Sequence, residues 1–145
     1  MKCLLQRVSQ ASVTVDGRVC GKIWRGLLVF VGIEPGDDVA VLGKMLKRIL
    51  DYRVFADSRG RMNLSLRDVA GGLLLVSQFT LAAQTDKGLR PGFSTAAAPE
   101  QAAGLFAAMV ELARQEHAEV ACGEFAADMQ VSLVNDGPVT FLLQG

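Results

Sequence analysis

The first fifteen residues read as strand. Positions Leu4, Gln6 and Val8, and then Ala11, Val13 and Val15, alternate with polar neighbours, the period of a half-buried strand. Asp16-Gly17 interrupts the pattern between Ser12–Val15 and Arg18–Cys20. That dipeptide predicts a tight hairpin, because a primed turn needs positive φ and glycine supplies it without strain. The run Gly26-Leu27-Leu28-Val29-Phe30-Val31-Gly32 has no alternation at all, and Leu73-Leu74-Leu75-Val76-Ser77-Gln78 repeats the theme. Both read as strands buried on two faces. Tyr52–Phe55 predicts a short strand, and Asn63 to Gly72 shows no period and reads as irregular.

Helical spacing appears twice. After Glu34-Pro35-Gly36-Asp37-Asp38, where either aspartate can cap a first turn, Leu42, Met45, Leu46, Ile49 and Leu50 fall on one stripe. Pro99 suits the first position of a second helix, followed by Ala102, Leu105, Phe106, Met109, Leu112 and Ala113. Ala98 offers that helix no side-chain cap. Between Ala83 and Ala98 no periodicity exists, and a loop this long in a small domain is often functional. Alternation returns at Met129, Val131 and Leu133; Asn135-Asp136-Gly137-Pro138 reads as a sharp turn, and Val139–Leu142 as a returning strand. The expected architecture is α+β: one domain over residues 1–145, a curled, barrel-like, mostly antiparallel sheet with two helices packed on it.

Composition changes this picture little; charge changes it more. Half of the 145 residues are apolar and 21% are charged, which excludes disorder as the main state. No apolar run reaches the roughly 18 residues of a membrane span, and no signal peptide precedes the first charges, so a cytoplasmic protein is expected. Cys3, Cys20 and Cys122 are too few and too scattered for a disulfide framework. The net charge of zero conceals a split: residues 1–97 hold 14 Lys and Arg against 8 Asp and Glu, and residues 98–145 hold 1 against 7. A polyanionic partner is therefore compatible with overall neutrality.

The chemistry available is narrow. His117 is the only histidine and sits in a charged helix end, where an exposed, structurally ordinary histidine is expected, so a hydrolase built on a histidine base has no support. No His or Cys pair falls at ligand spacing, no phosphate-binding glycine loop is present, and neither metal nor cofactor is expected. Two segments stand out. Ser77-Gln78-Phe79-Thr80 ends a buried strand in polar and aromatic groups, where backbone N–H groups can face a developing oxyanion. Gly137-Pro138 presents two carbonyls, no glycine side chain and no proline N–H.

At these segments the chain resembles the D-aminoacyl-tRNA deacylases, also called D-tyrosyl-tRNA deacylases. The similarity runs in order through Gln6-Arg7-Val8, Ala11–Val15, Met62-Asn63-Leu64, Ser77–Leu81, Arg90–Ser94, Phe125–Val131 and Asn135–Thr140, which is essentially the whole chain. Thr95 and Ala96 depart from the lysine and glycine frequent after Phe93-Ser94 in that family. The resemblance implies a cytosolic homodimer that cleaves the ester between a D-amino acid and the terminal adenosine of tRNA, with glycine mischarged on tRNA-Ala as a second substrate. It implies that Ser77, Gln78, Phe79 and Thr80 form the catalytic pocket strand. It also implies that a cis Gly137-Pro138 enters the partner subunit's pocket as a chiral filter, with Arg7 and Met129 as supporting residues.

Physical reasoning agrees with those implications. A backbone wedge facing Cα can exclude one hand while accepting many side chains, whereas a missing apolar contact discriminates by only about 1–3 kcal/mol. Two roles stay open for Thr80: lining the pocket of a substrate-assisted reaction, or acting as a covalent nucleophile. The basic residues Lys44, Lys47, Arg48, Arg53, Arg59, Arg61 and Arg67 are candidates for acceptor-stem phosphates. Neither DNA nor a membrane is expected as a partner. A simple esterase using Thr80 and a non-catalytic RNA-binding dimer are the competing classes.

Overall fold

Asp16 and Gly17 both take left-handed backbone, with φ of 50° and 76°, in the computed structural model, which describes residues 1–145. A primed turn requires this, so β1 (Lys2–Val15) folds directly back on β2 (Arg18–Ile23). β1 is long because it serves three strands. Its second half pairs with β2, its first half with β3 (Gly26–Gly32), and its other edge with β8 (Gln130–Gln144), all antiparallel. β3 then runs parallel to β6 (Gly72–Ser77), and β6 parallel to β7 (Val120–Cys122). The sheet is therefore more mixed than the alternation pattern predicts, since parallel pairing is a tertiary choice that leaves no periodic mark. It nearly closes on itself. A Cβ at Gly21 of β2 would stand 2.5 Å from the Cys122 carbonyl oxygen of β7, so that close approach depends on glycine.

The curl explains the two strands without alternation. Leu27, Val29, Leu73 and Leu75 face a core shared with the helices, while Leu28, Leu74 and Val76 face a second core with Val8, Val13 and Ile23. Burial on both sides removes any polar face from β3 and β6. Within β1 the buried set also changes phase, from Cys3 and Leu5 to Val8, Ala11 and Val13, because its pairing with β8 shifts register between Gln6 and Gln10. The regular alternation expected from Leu4 and Gln6 is displaced by that irregularity.

Three helices pack on the sheet where two were expected. α1 (Val39–Asp51) buries the predicted stripe and is capped by Asp38, whose Oδ1 accepts from the Val41 N–H at 2.8 Å. α3 (Pro99–Glu116) starts on Pro99 with no side-chain cap at Ala98. The addition is α2 (Leu66–Val69), one turn long and too short for a periodic signal. Its signature is a capping box: Ser65 Oγ accepts from the Asp68 N–H at 3.2 Å, and Asp68 accepts from the Ser65 N–H at 2.8 Å. A separate ribbon, β4 (Phe55–Ala56) with β5 (Met62–Leu64), precedes it. No helix is long and apolar enough to cross a membrane.

Asp37, the unused cap candidate, has another task. The Met1 ammonium is buried and donates to Asp37 Oδ1 and Glu34 Oε2, each at 2.7 Å. Burial works against the ammonium, but the hydrogen bonds to Asp37 and Glu34 prevail and raise it above the ordinary value of 8.0. The same contact, from the other side, is the main cause holding the Glu34 carboxyl below its ordinary 4.5. The raised amine stabilises fully below its unfolded value and loses that contribution as pH rises through its folded one. The depressed carboxyl stabilises above its unfolded value and loses it as pH falls. Urea midpoints measured against pH are expected to form a plateau that declines on both sides, with Glu34→Gln flattening the acid limb. An acid limb unchanged in that variant would contradict the clasp.

Candidate active site

β6 carries its apolar run through the sheet and ends in half-buried Ser77, followed by half-buried Gln78. The strand is held to the last: the Gln78 N–H donates to the Val31 carbonyl of β3 at 2.8 Å. The chain then winds into a single 3-10 turn, Phe79–Ala82. Gly32 permits this, since a Cβ there would meet Leu81 Cβ at 2.8 Å and the Gln78 carbonyl oxygen at 3.2 Å. The turn leaves its opening N–H groups, those of Phe79 and Thr80, outside its own hydrogen bonds.

Beside this strand end lies an open cavity of about 470 Å³. Val76, Ser77, Gln78 and Phe79 form one wall, the start of α3 a second, and the segment from Phe125 through Val131 a third. Only Ser77 and Gln78 bring polar side chains to an otherwise apolar lining. Such a surface suits a nonpolar or flat group held against a few polar atoms. Met129 lies in this wall, and Gly123 makes room for it: a Cβ there would stand 2.7 Å from Met129 Sδ.

Thr80 is exposed and does not line the cavity. Its hydroxyl accepts from the Gln78 side-chain amide, which is no base. His117 is not at the site either, and it is more than an exposed surface residue. It caps the end of α3, is half-buried, and its Nε2 meets the Gly71 carbonyl oxygen at 2.6 Å. A nucleophilic Thr80 has no general base within hydrogen-bond reach.

Gly137-Pro138 is cis and exposed. The expected turn is not a reversal. β8 keeps its direction, pairing with β1 before the segment (Gln130 to Asn135) and after it (Thr140 to Gln144), but Asp136–Val139 bulge out opposite the single residue Arg7 of β1. Asn135 braces the bulge, its Oδ1 accepting from the Val139 N–H at 2.8 Å. Arg7, itself largely buried, reaches across: its Nε donates to the Asp136 carbonyl at 2.9 Å and its Nη1 to the Val54 carbonyl at 2.6 Å. The fold thus gathers Ser77, Gln78, Phe79 and Met129 at one cavity. It sets Gly137, Pro138 and Arg7 elsewhere on the same chain, outside that lining. Sequence reasoning missed Ala97, Ala102, Phe125 and Val131 as wall residues. The aperiodic stretch Phe125-Ala126-Ala127-Asp128-Met129 was the available signal, and in the structure Ala126 takes left-handed backbone there with φ 62°.

The basic residues divide. Lys47 and Arg67 pair with Asp51, Arg67 also with Glu116, Arg48 donates to the Gln144 carbonyl and Arg53 to the Asn63 carbonyl. Lys44, Arg59 and Arg61 are exposed with no side-chain partner. No three metal-ligating side chains come together.

A curled mixed sheet carrying helices, with a cavity at the end of a central strand, defines a small α+β domain with one candidate site. The family model described as D-Tyr-tRNA(Tyr) deacylase matches residues 4–144, and the chain belongs to that family. It is 62% identical over 144 residues to the D-aminoacyl-tRNA deacylase of Azotobacter vinelandii, covering 99% of each chain. The deacylase of Pseudomonas aeruginosa is 61% identical over the same span and coverage. A solved structure described as c-Myc DNA Unwinding Element Binding Protein superposes with a TM-score of 0.94 at 41% identity, over 100% of this chain and 99% of that one. A probable eukaryotic D-amino acid tRNA deacylase shares the fold at a TM-score of 0.85 and 17% identity, over 98% and 97%.

Proposed function

We propose that this chain is a cytoplasmic, homodimeric editing enzyme that hydrolyses D-aminoacyl-tRNA and rejects the L ester through a backbone filter. One observation carries the reading. The cavity has a polar strand end but nothing facing it that could sort chirality, while Gly137-Pro138 stands exposed and braced outside that cavity. A second copy that seats its Gly137-Pro138 against the first copy's Ser77–Phe79 wall completes the site. The terminal adenosine occupies the apolar cavity, and the ester carbonyl sits at the strand end.

In this arrangement the filter is steric. Pro138 has no N–H and Gly137 no side chain, so the wedge offers carbonyl oxygens and van der Waals bulk toward Cα. An L side chain collides with it; a D side chain points away. Glycine passes, which makes glycyl-tRNA-Ala a second substrate. Hydrolysis proceeds with orientation and the Phe79 and Thr80 N–H groups as oxyanion donors, the ribose hydroxyl assisting the attacking water. Within the basic cluster, Lys44, Arg59 and Arg61 are left free for acceptor-stem phosphates, and binding through them weakens as salt rises.

The test follows ester loss from matched D- and L-aminoacyl-tRNA with wild type and Thr80→Ala. Wild type is expected to cleave only the D ester. Thr80→Ala is expected to retain most of that rate, within about threefold, because a hydroxyl without a base supplies little nucleophilic catalysis. Equal cleavage of both hands would sink the filter. A collapse of the Thr80→Ala rate in a well-folded dimer would instead restore the covalent route.

A further inference from the structure

Outside the cavity, the loop from Ala83 to Ala98 carries an aromatic that the site does not use. Phe93 is 45% exposed and lies against Phe79, 58% exposed, with ring centroids 5.1 Å apart and a 51° tilt. Phe79 also lines the cavity, whereas Phe93 does not, so the pair extends from the cavity wall onto the open surface. The loop is pinned where it returns: Gln84 and Gly92 exchange backbone hydrogen bonds at 2.8 and 3.0 Å. Lys87 and Arg90 stand on the same loop, both exposed. Two large apolar rings left partly in water, continuous with a nucleotide-sized cavity and on a loop that carries Lys87 and Arg90 against the single acid Asp86, suit a partner that is flat, apolar on its faces and anionic along its edge.

We infer that Phe93 is a positioning residue on which the base preceding the terminal adenosine stacks. The inference rests on the deacylase reading, since it requires the tRNA 3′ end to enter this cavity. A single strand leaving the cavity past Phe79 lays its next base over Phe93, and its phosphate follows toward Lys87 and Arg90. Stacking of this kind needs only a π-face and a ring to lie on, with no base-edge hydrogen bonds. Its effect is to hold the strand so that the ester reaches the strand end, without touching the reacting atoms.

The experiment compares two substrates of wild type, Phe93→Ala and Phe93→Tyr: full-length D-aminoacyl-tRNA and the minimal D-aminoacyl ester of adenosine. Phe93→Ala is expected to raise KM for the tRNA about tenfold with kcat preserved, the usual scale for a lost base–aromatic stack. The minimal ester, which has no preceding base, is expected to be cleaved as by wild type, which also reports an intact cavity. Phe93→Tyr, retaining a ring, is expected to restore the tRNA KM. A tRNA made abasic at the preceding position should already show the raised KM with wild type and lose nothing more with Phe93→Ala. An unchanged tRNA KM would overturn the inference, as would equal losses on both substrates or a loss that tracks dissociation of the dimer. Wild type inactive on both substrates would overturn the deacylase reading and this inference together; an active wild type with an indifferent Phe93→Ala overturns only this one.

Discussion

Gly137→Ala is expected to lower D-aminoacyl-tRNA hydrolysis by about 100-fold, the usual scale when reacting groups are displaced by roughly an ångström. The cause is local. A Cβ on Gly137 would stand 2.5 Å from both the Val139 backbone nitrogen and Val139 Cγ2. Val139 cannot yield easily: its side chain is buried and its N–H is held by Asn135 Oδ1 at 2.8 Å. The exposed side of the contact must move, and that side is the proposed wedge. Discrimination between hands should fall with the rate, because the same carbonyls exclude the L side chain. Fold loss is not expected, since overpacking at one site costs about 1–3 kcal/mol. Single-turnover assays with both hands read the effect. Mixing Gly137→Ala chains with Gln78→Ala chains gives a sharper result. In a mixed dimer one site combines an intact cavity with an intact wedge, so activity should return. Unchanged stereoselectivity, or mixed dimers as inactive as their parents, would refute the wedge.

The halves of this site differ in how much of them the sequence discloses. Ser77-Gln78-Phe79 is legible because a buried apolar run ends abruptly in polar residues, a pattern that packing alone does not require. The hairpin at Asp16-Gly17 and the stripe of α1 are legible for a related reason: each is specified by residues within one turn or one helix. What stays hidden is whatever depends on distant partners. Asn135-Asp136-Gly137-Pro138 has turn composition, yet β1 pairs on both sides of it, so the chain bulges out and rejoins the same strand instead of reversing. The segment from Phe125 to Val131 is legible as a stretch resembling the family, but not as a cavity wall, because that role comes from facing β6 and α3. Asp37 resembles a cap in sequence and holds a buried ammonium in space. The basic cluster looks uniform, but acids at Asp51 and Glu116 occupy part of it.

The same dependence on distant partners sets the most sensitive point of the scaffold. Gly26→Ala is expected to destabilise the protein by about 4 kcal/mol, beyond ordinary overpacking. Gly26 opens β3 and Gly72 opens β6, paired side by side in the parallel part of the sheet. A Cβ on Gly26 would lie 1.9 Å from the Gly72 carbonyl oxygen and 2.7 Å from the Gly72 nitrogen. Those atoms are backbone, so no rotamer change relieves the contact. Gly72 cannot retreat, because its N–H donates to the Arg25 carbonyl at 3.0 Å and the next N–H, from Leu73, to the Glu119 carbonyl at 2.9 Å. The strands must separate at this end, and β6 carries the strain toward Ser77 and Gln78 at the other. Loss of deacylation is therefore expected at temperatures where the variant is still folded, with Tm lower by about 10 °C. Gly43→Ala is the matched control. Gly43 lies within α1, where an added Cβ meets nothing nearer than Leu112 Cδ2 at 3.9 Å. There alanine is expected to stabilise by about 1 kcal/mol through helix propensity. The two substitutions are chemically identical and should shift Tm in opposite directions in one thermal melt. A Gly26→Ala chain as stable as wild type would mean that β3 and β6 do not meet at this glycine pair.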